Sequence, residues 1–322
     1  MQIIDEIFGR PELIAKPPVL IDVGASGSVH PEWRRFSRYA ICIAFDADDR
    51  EMGFLTQESG NFRTLYLHHC MVAEEPNDPS RFFLTRSPYC SSALRPNTER
   101  LAAWAFYDLF AVEREVSIRS QTLSQVLAEH GLAYVDYFKT DSQGTDLRLF
   151  KSLGSDIVAR VLAADFEPGI IDAYDGEDKL HALMAFMDHN PFWMHSMRVE
   201  GSQRLPQRAR ERLSQEERER TRFVVPVAPG WAEVGYLNTL DKEGSFDARD
   251  LLLAWVFATL KGQHGFALEI ALGGLRRYPR DHMFSEMERS SLDRFSRRNI
   301  GAARAAIGRS RIARLARKLL KP

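Results

Sequence analysis

Asp22, Gly24, Gly27 and Asp46 have the residue types and order of a nucleoside-binding site. The run Val19-Leu20-Ile21-Asp22-Val23 is short, mostly apolar and rich in branched residues, and it breaks directly into Gly24-Ala25-Ser26-Gly27. Such a run ended by glycine predicts a buried strand followed by a tight loop. Glycine there allows a close backbone approach to a ligand. A second apolar run, Ile41 to Phe45, ends on Asp46 and Ala47. Strand, glycine loop, and an acid at the tip of the next strand is how a doubly wound α/β sheet holds a nucleoside-bearing cofactor. The loop handles the polar end of the ligand and the carboxylate accepts hydrogen bonds from ribose hydroxyls. The spacing is Gly-x-x-Gly, not the Gly-x-Gly-x-x-Gly of dinucleotide enzymes, which disfavours an NAD(P)-dependent oxidoreductase. His68-His69-Cys70 and Cys90 are metal-ligand types, but neighbours on a strand point to opposite faces, so no metal site is predicted.

The elements that must position these residues alternate. Further strands are predicted at 63–68, 134–139, within 157–166, at 192–199 and at 231–237. Helices are predicted at 98–110, 122–130 (closed by Gly131), 146–153 and 179–188. Strands alternating with helices predict a parallel sheet with right-handed crossovers. Residues 76–115 otherwise read as irregular. Residues 203–222 are dense in Arg and Glu and predict a solvated helix laced with i,i+4 pairs, ended by Pro226 and Pro229-Gly230. Beyond Asp241 the pattern is helical, with a pair at 247–261 and 266–277. One such pair cannot bury its own face, so it should pack on the main domain or on another subunit.

At 322 residues with 44% hydrophobic content, the chain can build a full core, which excludes wholesale disorder. No stretch of eighteen apolar residues predicts a membrane span. Three cysteines, Cys42 among them inside a predicted strand, fit a reducing cytoplasm without a disulfide framework. The net charge of −1 conceals an asymmetry, because residues 298–322 carry basic charges and no acid.

Three motifs occur together in order: Ile21 to Gly27, Ala44-Phe45-Asp46-Ala47-Asp48, and Asp136-Tyr137-Phe138-Lys139-Thr140-Asp141-Ser142-Gln143-Gly144. Over about residues 19–240 the chain resembles the FkbM family of S-adenosylmethionine-dependent methyltransferases. Lys139 to Gly144 resembles that family's Lys-Ile-Asp stretch before Gln-Gly, and Ser91-Ser92-Ala93-Leu94 resembles its Ser-Ser-Leu region. Glu167 and Tyr174 match a spacing after its fifth strand. The resemblance implies an α/β class I methyltransferase fold: a Rossmann-like, seven-stranded, mostly parallel sheet with an antiparallel last strand. It implies O-methylation of a hydroxyl of a sugar, polysaccharide or lipid-linked glycan.

By the same resemblance, the cofactor is S-adenosyl-L-methionine. The Gly24-Ala25-Ser26-Gly27 backbone, with Asp22 before it, faces the methionine end, Asp46 and Ala47 the ribose, and Met71 and Val72 the adenine. Asp141 lies where the methyl points, and Asp141 and Glu167 are the candidate catalytic carboxylates. A positioned carboxylate can take the hydroxyl proton as the methyl is transferred. Ser91 and Ser92 are candidate acceptor-binding residues. Residues 203–229 are an insert between the last two strands, at the cofactor side, so Arg208 and Arg212 in it are candidate contacts to an anionic or sugar acceptor.

Two domains are expected: residues 1–240 as the methyltransferase domain and 241–322 as a helical appendage that can mediate a homo-oligomer. The tail at 299–320 has a basic amphipathic pattern suited to weak contact with an anionic membrane surface. Nucleic acid is not an expected partner. The predicted location is cytoplasmic, with peripheral contact at the inner membrane face. A non-catalytic module that retains the fold is the alternative from a different class.

Overall fold

The computed structural model describes residues 2–25, 30, 32–48, 50, 61–75, 80–241 and 244–296. The chain divides into a unit of Arg10–Ser245 and a unit made of Met1–Gly9 with Phe246–Pro322. Among the described residues no helix is long and apolar enough to cross a membrane.

The larger unit is built on eleven strands. They are β1 (Val19–Val23), β2 (Ile41–Phe45), β3 (Thr64–His68), β4 (Met71–Val72), β5 (Ser80–Thr85), β6 (Val112–Ile118), β7 (Ser120–Gln121), β8 (Tyr137–Thr140), β9 (Ala163–Phe166), β10 (Phe192–Gln203) and β11 (Val227–Asn238). Seven form one sheet in the order β10-β11-β9-β8-β1-β2-β3. β11 runs antiparallel to both neighbours and every other pairing is parallel. This is the expected class I methyltransferase, Rossmann-like arrangement. The chain steps outward from β1 to β3, then returns to β8 on the other side of β1. That reversal opens a crevice at the carboxyl ends of β1 and β8, where open α/β sheets bind ligands.

Local sequence accounts for the sheet. β1 is buried throughout, as a central parallel strand covered on both faces must be. Ile21, Ile43 and Phe138 belong to one core with Phe150 and Phe166. Thr122 opens the helix Leu123–Glu129 with a reciprocal capping box to Gln125, and Gly131 follows it at φ 65°.

Three expectations fail for tertiary reasons. The single helix at 98–110 is interrupted: only Thr98–Leu101 is α-helical, with a 3₁₀ turn at Tyr107–Phe110. Between them the Ala105 N–H is drawn to the Gln203 carbonyl at 2.9 Å, so it cannot serve a helix. The irregular region holds an antiparallel ribbon of β5 and β6, whose pairing spans a connection too long to show as a hairpin signal. Pro229 and Gly230 do not end the insert but lie within β11, opposite a register shift at Glu200/Gly201. A side chain on Gly201 would collide with the Ala228 carbonyl, so the close crossing of these two strands requires glycine.

In the smaller unit, Ala248–Leu260 packs on His264–Arg277 and His282–Asp293, and Gln2–Phe8 packs on the first and third of these. The expected helix pair is thus joined by a third helix and by the N-terminal helix. Trp255 Nε1 donates to Ser291 Oγ at 3.0 Å inside this bundle. Residues 299–320, read as a basic amphipathic tail, lie outside the described residues.

Candidate functional site

A cleft opens at the carboxyl ends of β1, β2 and β8. The cavity at its base is small, about 70 Å³, and it opens to solvent. Gly24 sits at its base with φ 75°, and its N–H and that of Ala25 both donate to the Phe45 carbonyl at 3.0 Å. A Cβ on Gly24 would strike the Asp141 carbonyl oxygen, so glycine is what lets the tips of β1 and β8 close on each other. Ser26 and Gly27 lie outside the described residues.

Asp46 lines the cleft and is buried. Its Oδ1 accepts the Asp48 N–H at 2.8 Å. Its Oδ2 is buried and has no hydrogen-bond partner among the described residues. Burial pushes the carboxyl up to about 6. A buried carboxylate oxygen with no donor fits a ligand that brings hydroxyls. Ala47, Met71 and Val72 also line the cleft. Met71 and Val72 are held there by parallel pairing with Ser120 and Gln121. Asp22 is placed differently. It is buried behind the cleft, ion-paired with Lys139 Nζ at 2.7 Å across β1 and β8. Burial alone would lower the Lys139 pKa, but the charges of Asp22 and Asp141 outweigh it and raise it.

Asp141 follows β8 and Glu167 follows β9, and the two carboxyls are hydrogen-bonded to each other. Burial raises both. The negative charge of Asp141 then pushes Glu167 further, to about 9, while Lys139 opposes the rise at Asp141. Near neutral pH the pair therefore holds one proton between its two carboxyls. Unfolded, Glu167 ionises near the ordinary carboxylate value of about 4.3. The native chain thus binds the extra proton from there up to about 9, and stability falls as pH rises across that window. Glu167→Gln removes this loss. Thermal denaturation against pH should show the variant gaining on wild type from about pH 4.5 to pH 9 and matching it below; parallel curves would contradict the shared proton.

The loop after Asp141 is held by Asp146 and by three residues of the motifs that carry the resemblance, Gln143, Ser92 and Tyr174. Asp146 is buried and accepts from Thr140 Oγ1 at 2.9 Å, Ser142 Oγ at 2.5 Å and N at 3.0 Å, and the Glu167 N–H at 3.0 Å. One side chain thereby ties the tip of β8 to the tip of β9. Gln143 has φ 56°, an uncommon conformation for a non-glycine residue. Its Nε2 donates to Asp141 Oδ1 at 2.5 Å and its Oε1 accepts from the Tyr174 hydroxyl at 2.9 Å. Ser92 Oγ donates to the Gln143 carbonyl at 2.7 Å. Ser92 therefore braces this loop and does not line the cleft, whereas Ser91 lines it and accepts from Arg50 at 3.0 Å.

Beyond Asp141 lies a second space, a chamber of about 470 Å³. Its walls come from residues 87–110, 167–177 and the outer part of the β10–β11 hairpin. β11 pairs with β9 only from Val234 to Leu237, so Gly230 and Trp231 extend past the tip of β9. Glu167, Gly201, Ser202 and Trp231 line the chamber, and Ser92 does not. Asp141 and Gln143 line both spaces.

The insert is in place at this end of the sheet, as helices Gln207–Arg210 and Gln215–Val224. Its arginines are elsewhere. Arg208 and Arg212 are exposed and line neither space. Arg210 donates to the Ala105 carbonyl at 2.8 Å. Charge density in sequence marked a solvated surface here, which is the usual fate of Arg. Among the described residues there is no cluster of three potential metal ligands. His68 instead pairs Nε2 to His130 Nε2 at 2.9 Å and stacks on Phe45.

No protein-family model and no curated protein sequence matches the chain. Solved structures do. The chain is similar to geranyl diphosphate C-methyltransferase from Streptomyces coelicolor A3(2), a complex with Mg²⁺, geranyl diphosphate and S-adenosyl-L-homocysteine, at 10% identity and TM-score 0.32 over 73% of this chain and 77% of that one. It is similar to a methyltransferase-like protein from Bacillus halodurans C-125, at 10% identity and TM-score 0.31 over 74% of this chain and 99% of that one. It is also similar to the YcgJ protein from Bacillus subtilis, at 13% identity and TM-score 0.32 over 73% and 97%. The fold class rests on the strand order and the crevice it creates.

Proposed function

We propose that the chain is an S-adenosylmethionine-dependent methyltransferase acting on a hydroxyl, of the kind its resemblance to the FkbM family implies. The observation that carries the reading is the double placement of Asp141, which lines both the cleft at the Gly24–Asp46 crevice and the chamber beyond it. A carboxylate between a donor space and an acceptor space is where methyl transfer to oxygen needs one. The cofactor, when bound, supplies the methyl as an electrophile. The residues present fit it: Asp46 offers an unpartnered buried oxygen to ribose hydroxyls, and Met71 and Val72 offer an apolar edge to a flat base.

The remaining work falls to the protein. Asp141 accepts the proton that the acceptor hydroxyl loses as its oxygen is alkylated. Glu167, neutral, donates to Asp141 and keeps the pair at a single negative charge. Gln143, fixed by Ser92 and Tyr174, orients the Asp141 carboxylate. The resemblance implies sugar, polysaccharide or lipid-linked glycan acceptors, whereas the mostly apolar lining of the chamber favours a less polar one. The test is calorimetric titration. S-adenosylmethionine should bind at one site and NAD should not; binding of NAD alone would sink the reading in favour of an oxidoreductase.

A further inference from the structure

The chamber has a one-sided chemistry. Among the described residues, no lysine or arginine lines it. Of its carboxylates, Glu177 is committed to Lys179 at 3.3 Å and to the Ala173 N–H at 2.7 Å. Asp141 and Glu167 share one proton and so carry one negative charge between them. The Tyr174 hydroxyl bonds the Cys90 carbonyl and Gln143 Oε1, both at 2.9 Å, and Gln143 is used on Asp141. That leaves the hydroxyls of Tyr89 and Ser202 and the Trp231 indole as the polar side-chain groups to meet a ligand, with Ser87 engaged by the Cys90 thiol, against Phe106, Leu109, Phe110 and Ile171. The aromatic rings form a connected wall: Phe106 lies 5.1 Å from Phe110 and 6.2 Å edge-on from Trp231, and Phe110 lies 5.6 Å edge-on from Tyr174.

We infer that the chamber takes a small, uncharged hydroxyl compound with a flat apolar body, of the phenol or naphthol type. This rests on the methyltransferase reading of the adjoining cleft. The size follows from about 470 Å³ of space, which suits a small molecule. The flat apolar body follows from the rings, which favour stacked or edge-on aromatic partners. A sugar ring would bring several hydroxyls into a mostly apolar lining, and each left without a partner opposes binding. The absence of charge follows from balance. The one negative charge of the Asp141–Glu167 pair is matched by the positive sulfonium of a bound cofactor. An anionic acceptor then finds no cation in the lining, and an ammonium group adds a second positive charge to a matched site.

The test is calorimetric binding of four probes to the full chain, with and without S-adenosylmethionine: 2-naphthol, 6-hydroxy-2-naphthoate, tyramine and methyl β-glucoside. With the cofactor present, 2-naphthol should bind at least tenfold tighter than each of the others. Trp231→Ala should weaken 2-naphthol about tenfold and Trp231→Phe less than threefold, with S-adenosylmethionine affinity unchanged in both. Tighter binding of methyl β-glucoside, or equal binding of the naphthoate or tyramine, overturns the assignment. So does no binding of 2-naphthol while the cofactor binds. If S-adenosylmethionine itself does not bind, the methyltransferase reading falls, and the ring preference is still decided by the cofactor-free titrations.

Discussion

Asp141→Asn is expected to lower kcat for methyl transfer by roughly a hundred- to ten-thousandfold, the range lost when a positioned general base is removed. The substitution keeps the size of the side chain and a carbonyl oxygen for the Gln143 amide. It removes the one negative charge that the Asp141–Glu167 pair carries at neutral pH. Glu167 cannot substitute, because burial holds its proton, and without the Asp141 charge beside it the carboxyl still faces a desolvated chamber. The pH profile supplies a second readout. In the wild type, activity should fall on the acid side as the pair takes up its second proton, and burial places that limb above the ordinary carboxylate range. In Asp141→Asn the limb should vanish. A variant that keeps wild-type kcat and the same acid limb would remove Asp141 from the chemistry.

Asp46→Ala is the second large effect, and it concerns binding. A carboxylate that accepts two ribose hydroxyls makes charge-assisted bonds worth about 1.5–3 kcal/mol each. Losing both should weaken S-adenosylmethionine by roughly a hundredfold or more. The fold should survive, because the raised carboxyl pKa means that Asp46 is held in the native state against a desolvation cost at neutral pH. Circular dichroism and melting of the variant check this separately from calorimetry. The sign of the pH dependence is fixed by the same shift. Hydroxyl donors bind the ionised form, so wild-type affinity should be flat above about pH 6 and fall as pH drops below it. The Ala variant should lack that fall. Near wild-type affinity in Asp46→Ala would refute the ribose assignment.

The smaller unit shows how far a local pattern carries. Helical periodicity at 247–261 and 266–277 was legible, and the helices observed are Ala248–Leu260 and His264–Arg277. The third helix, His282–Asp293, was not legible. It carries charged residues through much of its length and buries only Met283, Phe284, Met287 and Ser291. The Phe284 ring sits where a side chain on Gly274 would lie, so this contact is set by a glycine on another helix.

In the larger unit, sequence alone determined the central strands, Gly24 at the end of β1, Asp46 at the tip of β2 and the two carboxylates at the tips of β8 and β9. Buried parallel strands are continuous apolar runs, and the residues directly after each run are displayed at its tip, so this information is local. Tertiary structure decided what those residues do together. It turned Asp22 away from the cleft and onto Lys139, and it gave Asp141 and Glu167 one proton to share. It used Ser92 and Asp146 as braces and left Arg208 and Arg212 in solvent. It also built the chamber from segments far apart in the chain, with Tyr174 reaching the Cys90 carbonyl 84 residues away. Burial and charge coupling arise between side chains far apart in the chain. No spacing along the sequence records them.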